Sequence, residues 1–159
     1  MKTIYVDSGF LIALYGKPDE YTTEANNYFN EYFKNTLNKL VIPCPILFET
    51  VSTKMVRHRK GLELLEKDWK TLKAQQRLVL LNDLDYREKA LEECFKESQK
   101  DPRSYRSLSL VDRVIRNMLS DVSLRIDYFI TFNIKDFEDV CKKFRRILIG
   151  DSGDTLLNY

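Results

Sequence analysis

The feature that most limits this chain's fold is the way its short apolar runs are spaced. "TIYVD", "LVIP", "RLVLL", "YFIT" and "RILIG" have the length and branching of strands, and segments of helical length separate them. No short hairpin turn joins any two of these runs. Strands joined through helices lie parallel, because each return must cross a face of the sheet. A parallel sheet is in turn covered on both faces. The chain therefore reads as α/β, with a mainly parallel central sheet of about five strands and helices on both faces. Helical spacing is expected over residues 8–14, 20–37, 46–58, 62–74, 86–97 and 108–122, and again in "KDFEDVCKKF". In the second of these, Tyr21, Ala25, Tyr28, Phe29, Tyr32 and Phe33 form an aromatic-rich stripe that suits a core. Gly61 is expected to divide two helices, and "KDPRSYRS" is the clearest loop.

A length of 159 residues suits one domain, 1–159, with residues 150–159 as a surface-attached or frayed tail. A domain of this size buries roughly 70% of the surface its unfolded chain exposes, so it needs no staples. Cys44, Cys94 and Cys141 lie too far apart for a zinc knuckle and are odd in number, so they read as core thiols of a reducing compartment. No apolar run can span a bilayer and no signal peptide is visible, so a soluble cytoplasmic protein with no membrane association is expected. A formal net charge of +2 argues neither for nor against nucleic acid, which leaves local clusters to decide. No G-x-x-x-x-G-K or G-x-G-x-x-G stretch offers a phosphate-cradling loop.

Several acidic positions break local rules. Asp7 stands between a strand and a helix, where it can cap the helix or mark the carboxyl end of a central parallel strand, the edge where open α/β sheets bind ligands. Asp112 interrupts an apolar helical stripe, and Glu49 follows Ile46, Leu47 and Phe48, so both carboxylates are expected to point toward covered faces. Asn133 and Asp136 follow the "YFIT" strand one helical turn apart and can face the same point. Each has an ordinary alternative. Asp7, Asn133 and Asp136 would serve as caps; Glu49 would pair with Lys54 or Arg57; Asp112 would pair with Arg106, Arg113 or Arg116. Those alternatives leave unexplained why such positions recur on one expected rim of the sheet.

Converging carboxylates need a cation. Two of them about 5 Å apart repel by roughly 3 kcal/mol at an effective dielectric of 20. All-oxygen donors favour Mg²⁺ or Mn²⁺, one or two ions, over softer metals. The lone histidine, His58, reads as a solvated residue at a helix end, so histidine-based nucleophilic catalysis is not expected. Asp127 precedes its strand and would lie at the opposite edge.

These residues resemble those of the PIN domain nucleases, a family that includes the VapC-type toxins of toxin–antitoxin pairs. The resemblance spans nearly the whole chain and rests on "YVDSGFLIAL", "PILFETVS", "LSLVDRVIRNM" and "FITFNIKDFE" in that order. It implies that Asp7, Glu49 and Asp112 are acidic metal ligands, with Ser8 and Thr131 as hydroxyls lining the site. It implies further that the activity is metal-assisted hydrolysis of RNA phosphodiester bonds. Asn133 is a departure from the aspartate many members place there; it keeps an oxygen but loses a charge, and Asp136 would have to compensate. Lys54, Arg57, Arg106 and Arg113 are the cations expected to meet RNA phosphates, with Tyr105 as a stacking candidate. An antitoxin protein or a homodimer would find apolar surface along 11–33 and 46–74. The competing expectation is a degenerate PIN module that binds RNA or protein without cutting, which Asn133 favours.

Overall fold

A computed structural model describes residues 1–150 of the protein. The expected C-terminal tail, from position 151 onward, lies outside the described residues. Five strands form one parallel sheet: β1 (Thr3–Val6), β2 (Lys39–Pro43), β3 (Leu78–Leu81), β4 (Tyr128–Ile130) and β5 (Ile147–Ile149), in the order β3-β2-β1-β4-β5. Register is continuous through β1, where Tyr5 sits between Val41 of β2 and Phe129 of β4. The chain steps from β1 outward to β2 and β3, then crosses back to β4 on the other side of β1. The strand order therefore reverses between β1 and β4, and that reversal opens a crevice at their carboxyl ends.

The helices fall into two layers. The first holds α1 (Ser8–Tyr15), α2 (Thr22–Phe29), α3 (Cys44–Thr50), α4 (Thr53–Val56) and α5 (Arg59–Ala74). The second holds α6 (Leu84–Ser98), α7 (Leu110–Ser120) and α8 (Ile134–Lys143). The connections from β1 to β2 and β3 run one way across the sheet and those from β3 to β4 and β5 run the other way, so under the general right-handed crossover rule the two groups fall on opposite faces. The core between the layers is built on Ile4, Val6, Phe10, Leu40, Ile42, Ile115, Met118, Phe129 and Phe137, all buried. Each such side chain contributes about 1.5–3 kcal/mol by leaving water. Among the described residues no helix is long and apolar enough to cross a membrane, and the three cysteines are free thiols.

Local chemistry corrects three expectations. The expected helix at 46–58 is two helices, α3 and α4, broken at Val51 and Ser52. Val, Ser and Thr in succession propagate a helix poorly, and the backbone of Ser52 is extended at the new start. Gly61 does not divide helices; it lies in the first turns of α5, where a Cβ would stand 1.7 Å from the Tyr15 carbonyl oxygen. It is the contact point that lets α5 close onto α1. The helix expected over 20–37 ends as α2 and passes into a π-helical segment, Asn30–Lys34, which turns Phe33 fully into the core. The aromatic stripe is where it was expected: Ala25 and Phe33 are buried, and Tyr21, Tyr28, Phe29 and Tyr32 pack against the core.

Two arginines act as internal ties. Arg77, 7% exposed, donates to the carbonyls of Asn38 and Phe33 and to Gln75, fixing the entry to β3. Arg146 donates to the carbonyls of Leu119, Asp121, Leu124 and Ile126 and so closes the α7–β4 connection. Asp127 accepts from the Thr3 backbone N–H at 2.7 Å at the amino end of β1, the edge opposite the crevice.

Candidate active site

The carboxyl end of β1 leads directly into α1, and Asp7 sits at the junction as the N-cap. Its backbone N–H still bonds to Ile130 of β4, so the side chain is held over the crevice where the strand order reverses. One carboxylate oxygen accepts the Ser8 backbone N–H at 2.7 Å, and the other accepts the hydroxyl of fully buried Thr131 at 2.9 Å. Cap and site residue are therefore the same residue. Burial pushes the Asp7 carboxyl up to about 6; the Thr131 and Ser8 bonds oppose that rise, and the neighbouring charges of Asp112 and Glu49 add to it.

Glu49 reaches this group through a hydroxyl, since Ser8 Oγ donates to Glu49 Oε2 at 2.7 Å. The expectation that Glu49 points into a covered face is corrected: α3 is short, Glu49 is exposed, and Phe48 beside it is 70% exposed. Asp112 is half-buried in the first turn of α7. It closes a capping box in which Ser109 N–H and Oγ both donate to Asp112 Oδ2, and Asp112 N–H donates back to Ser109 Oγ. That reciprocal pairing was readable in "SLVD" as a start signal, which places the helix start at Leu110. It leaves Asp112 Oδ1 without a hydrogen bond among the described residues.

After β4, Thr131 Oγ1 accepts the Asn133 backbone N–H at 2.9 Å, and the Asn133 amide donates to Asp136 Oδ2 at 2.5 Å. Asp7, Ser8, Glu49, Thr131, Asn133 and Asp136 thus form one connected set of hydrogen bonds, with Asp112 as an adjacent charge. Asp136 belongs to the far end of that set, and its backbone carbonyl is held by Arg116.

The ion pairs considered for the acidic residues fall elsewhere. Arg116 and Arg106 both bind Asp139, holding its carboxyl well below the usual range. Arg113, 7% exposed, pairs at 3.6 Å with Glu97, itself 5% exposed. Glu97 also takes the Lys100 ammonium and the Arg106 backbone N–H, which ties down the 100–107 loop. Arg113 is consequently enclosed by its own fold, and Arg106 faces α8. Lys54 and Arg57 are exposed and make no ion pair among the described residues. The residues missed in sequence were these partners, Glu97 and Asp139, because a long-range pairing leaves no periodic signal.

Asp7, Glu49 and Asp112 likewise have no basic partner among the described residues. Their donors are hard oxygens, and the Asp7 carboxyl is one whose ionised form is disfavoured until a cation offsets it. By charge and by donor type they fit Mg²⁺ or Mn²⁺. In the described side-chain arrangement no three Asp, Glu, His or Cys side chains already enclose a point where an ion would sit.

In comparisons with known proteins, no family model matches the chain and no curated protein matches it.

Proposed function

We propose that this chain is a metal-dependent endoribonuclease of the PIN type that hydrolyses RNA phosphodiester bonds. The observation that supports this most is Asp7: a carboxylate at the switch point of the sheet, pushed up to about 6 by burial and flanked by Asp112 and Glu49 without a compensating base. Asp7, Asp112 and Glu49 would hold Mg²⁺ or Mn²⁺, one or two ions. When bound, such a cation supplies Lewis acidity toward a phosphate and its attacking water. Thr131 fixes the orientation of Asp7, and Ser8 holds Glu49 over the same crevice. Lys54 and Arg57 stand exposed after the glutamate helix and are free to meet the backbone of a single strand.

The finer reading is the toxin of a toxin–antitoxin pair acting in the cytoplasm. Exposed Phe48, Val51 and Val56, close in sequence to Glu49, favour a protein partner there, an antitoxin or a second copy of the chain. One observation favours the second reading, a degenerate PIN module that binds without cutting. The Asn133 amide is engaged with Asp136, so the last motif presents a neutral group where a further acid would add charge.

The deciding experiment incubates purified protein with total cellular RNA and Mg²⁺ or Mn²⁺ and maps new 5′ ends, alongside Asp112→Asn and a chelator. Discrete cuts that vanish in both controls are expected. Identical patterns from wild type and Asp112→Asn would reject the nuclease and bring the binding module forward.

A further inference from the structure

The bonds that start α7 all fall on one side of the Asp112 carboxylate. Ser109, the N-cap, donates to Asp112 Oδ2 twice, from its backbone N–H at 2.9 Å and from its hydroxyl at 2.6 Å. Its Oγ accepts the Asp112 N–H at 3.0 Å in return. Oδ1 is left as the single free oxygen of that carboxylate among the described residues. The charge of Asp112 contributes to the rise of the Asp7 carboxyl, so the two groups are near neighbours.

Two features separate this arrangement from an ordinary helix start. A capping box is normally closed by Glu or Gln at the third position of the helix. Here aspartate closes it, and its side chain has one rotatable bond fewer, so the same bonds leave the carboxylate less freedom. Ser109 is also exposed. Water can take over hydrogen bonds at an exposed cap, but it cannot fix a side-chain rotamer. We propose that Ser109 is a positioning residue for the cation site: it holds Asp112 in the rotamer that keeps Oδ1 free for the ion. The cost of ordering that ligand is then met when α7 forms and not when the ion binds. A cation that demands near-ideal octahedral geometry, as Mg²⁺ does, gains most from a ligand fixed beforehand. This assignment rests on the reading of Asp7, Asp112 and Glu49 as cation ligands and adds a residue that touches no ion itself.

The test measures Mn²⁺ affinity at pH 8 by electron paramagnetic resonance of the free ion, in wild type, Ser109→Ala, Ser109→Thr and Leu110→Gly. Each variant is also melted in chelator. Ser109→Ala should weaken Mn²⁺ binding about tenfold or more. Ser109→Thr, which keeps the hydroxyl, should restore affinity to within about twofold of wild type. Leu110 is exposed in the first turn of α7 and bonds neither Ser109 nor Asp112 through its side chain. Leu110→Gly should therefore lower the melting temperature by weakening the helix while leaving Mn²⁺ affinity within about twofold. Affinity unchanged in Ser109→Ala would overturn the positioning role and leave the cation site standing. Equal losses of affinity in Ser109→Ala and Leu110→Gly would overturn it too, since fraying of α7 would then be the cause. A wild type that binds no Mn²⁺ would remove the cation site and this role together. Because binding is read without cleavage, the expected order of affinities with no cutting of RNA would reject the nuclease and keep the positioning role.

Discussion

Replacing Asp7 by asparagine should make the metal-free protein more stable at neutral pH, the opposite of what a purely structural helix cap would do. Burial raises the carboxyl from 3.8 to about 6 in the folded state. Between those values the native state keeps a proton that the unfolded chain has released, so stability falls as pH rises through that window. The favourable contribution is full below about pH 3.8 and gone above about pH 6. At 1.36 kcal/mol per pH unit, holding Asp7 ionised at pH 7.5 costs about 3 kcal/mol. Asparagine caps a helix about as well as aspartate and still accepts the Ser8 N–H. Its amide would face the Thr131 hydroxyl, which must then accept rather than donate, at a cost of about 1 kcal/mol. The net gain is about 2 kcal/mol, or roughly 4–8 °C in Tm for a domain of this length. Thermal melts of wild type and Asp7→Asn in chelator at pH 7.5 and pH 4 provide the assay. The gain should appear at pH 7.5 and vanish or reverse at pH 4. A variant less stable at pH 7.5, or a shift identical at both pH values, would refute the reasoning.

Two structural perturbations test the frame around the site. Gly61→Ala sets a methyl group 1.7 Å from the Tyr15 carbonyl and should cost about 3 kcal/mol, a fall of roughly 6–12 °C in Tm. Gly9→Ala, whose Cβ would meet only Asp7 Oδ2 at 3.7 Å, should leave Tm within about 2 °C and serves as the control; equal effects from the two would contradict the packing account. Arg146→Met removes the donor shared by four carbonyls and should lower the urea unfolding free energy by about 3 kcal/mol; a change below about 0.5 kcal/mol would show that water satisfies those carbonyls equally well.

The architecture was legible because the features that fix a parallel α/β sheet are local. Short β-branched runs and the absence of hairpin turns led to five parallel strands, and Asp7 was readable as a residue at the carboxyl end of β1. Position within the sheet was not local. That β1 lies centrally, with the reversal between it and β4, follows only from the order of the strands, and that reversal is what makes the Asp7 junction a crevice. Glu49 illustrates a second limit: apolar neighbours suggested a covered face, yet a short helix at the surface exposes both Phe48 and the carboxylate. Gly61 illustrates a third. A glycine at a helix boundary and one at a helix–helix contact look alike in sequence, and only the Tyr15 carbonyl distinguishes them. The arginines near Asp112 were plausible partners by spacing, but Glu97 and Asp139, brought in from other helices, take them instead. The acidic residues at the crevice are left without basic partners because tertiary pairing placed the bases elsewhere.

That account of the crevice is tested most directly by titrating Mn²⁺ into the protein calorimetrically at pH 6 and at pH 8, in buffers of different ionisation enthalpy. With the Asp7 carboxyl at about 6, binding at pH 6 should release about half a proton per ion, and at pH 8 almost none. Asp7→Asn and Asp112→Asn should each weaken binding and, for Asp7→Asn, abolish the proton release. Absence of Mn²⁺ binding, or binding that neither substitution alters, would contradict the claim that these carboxylates form a cation site.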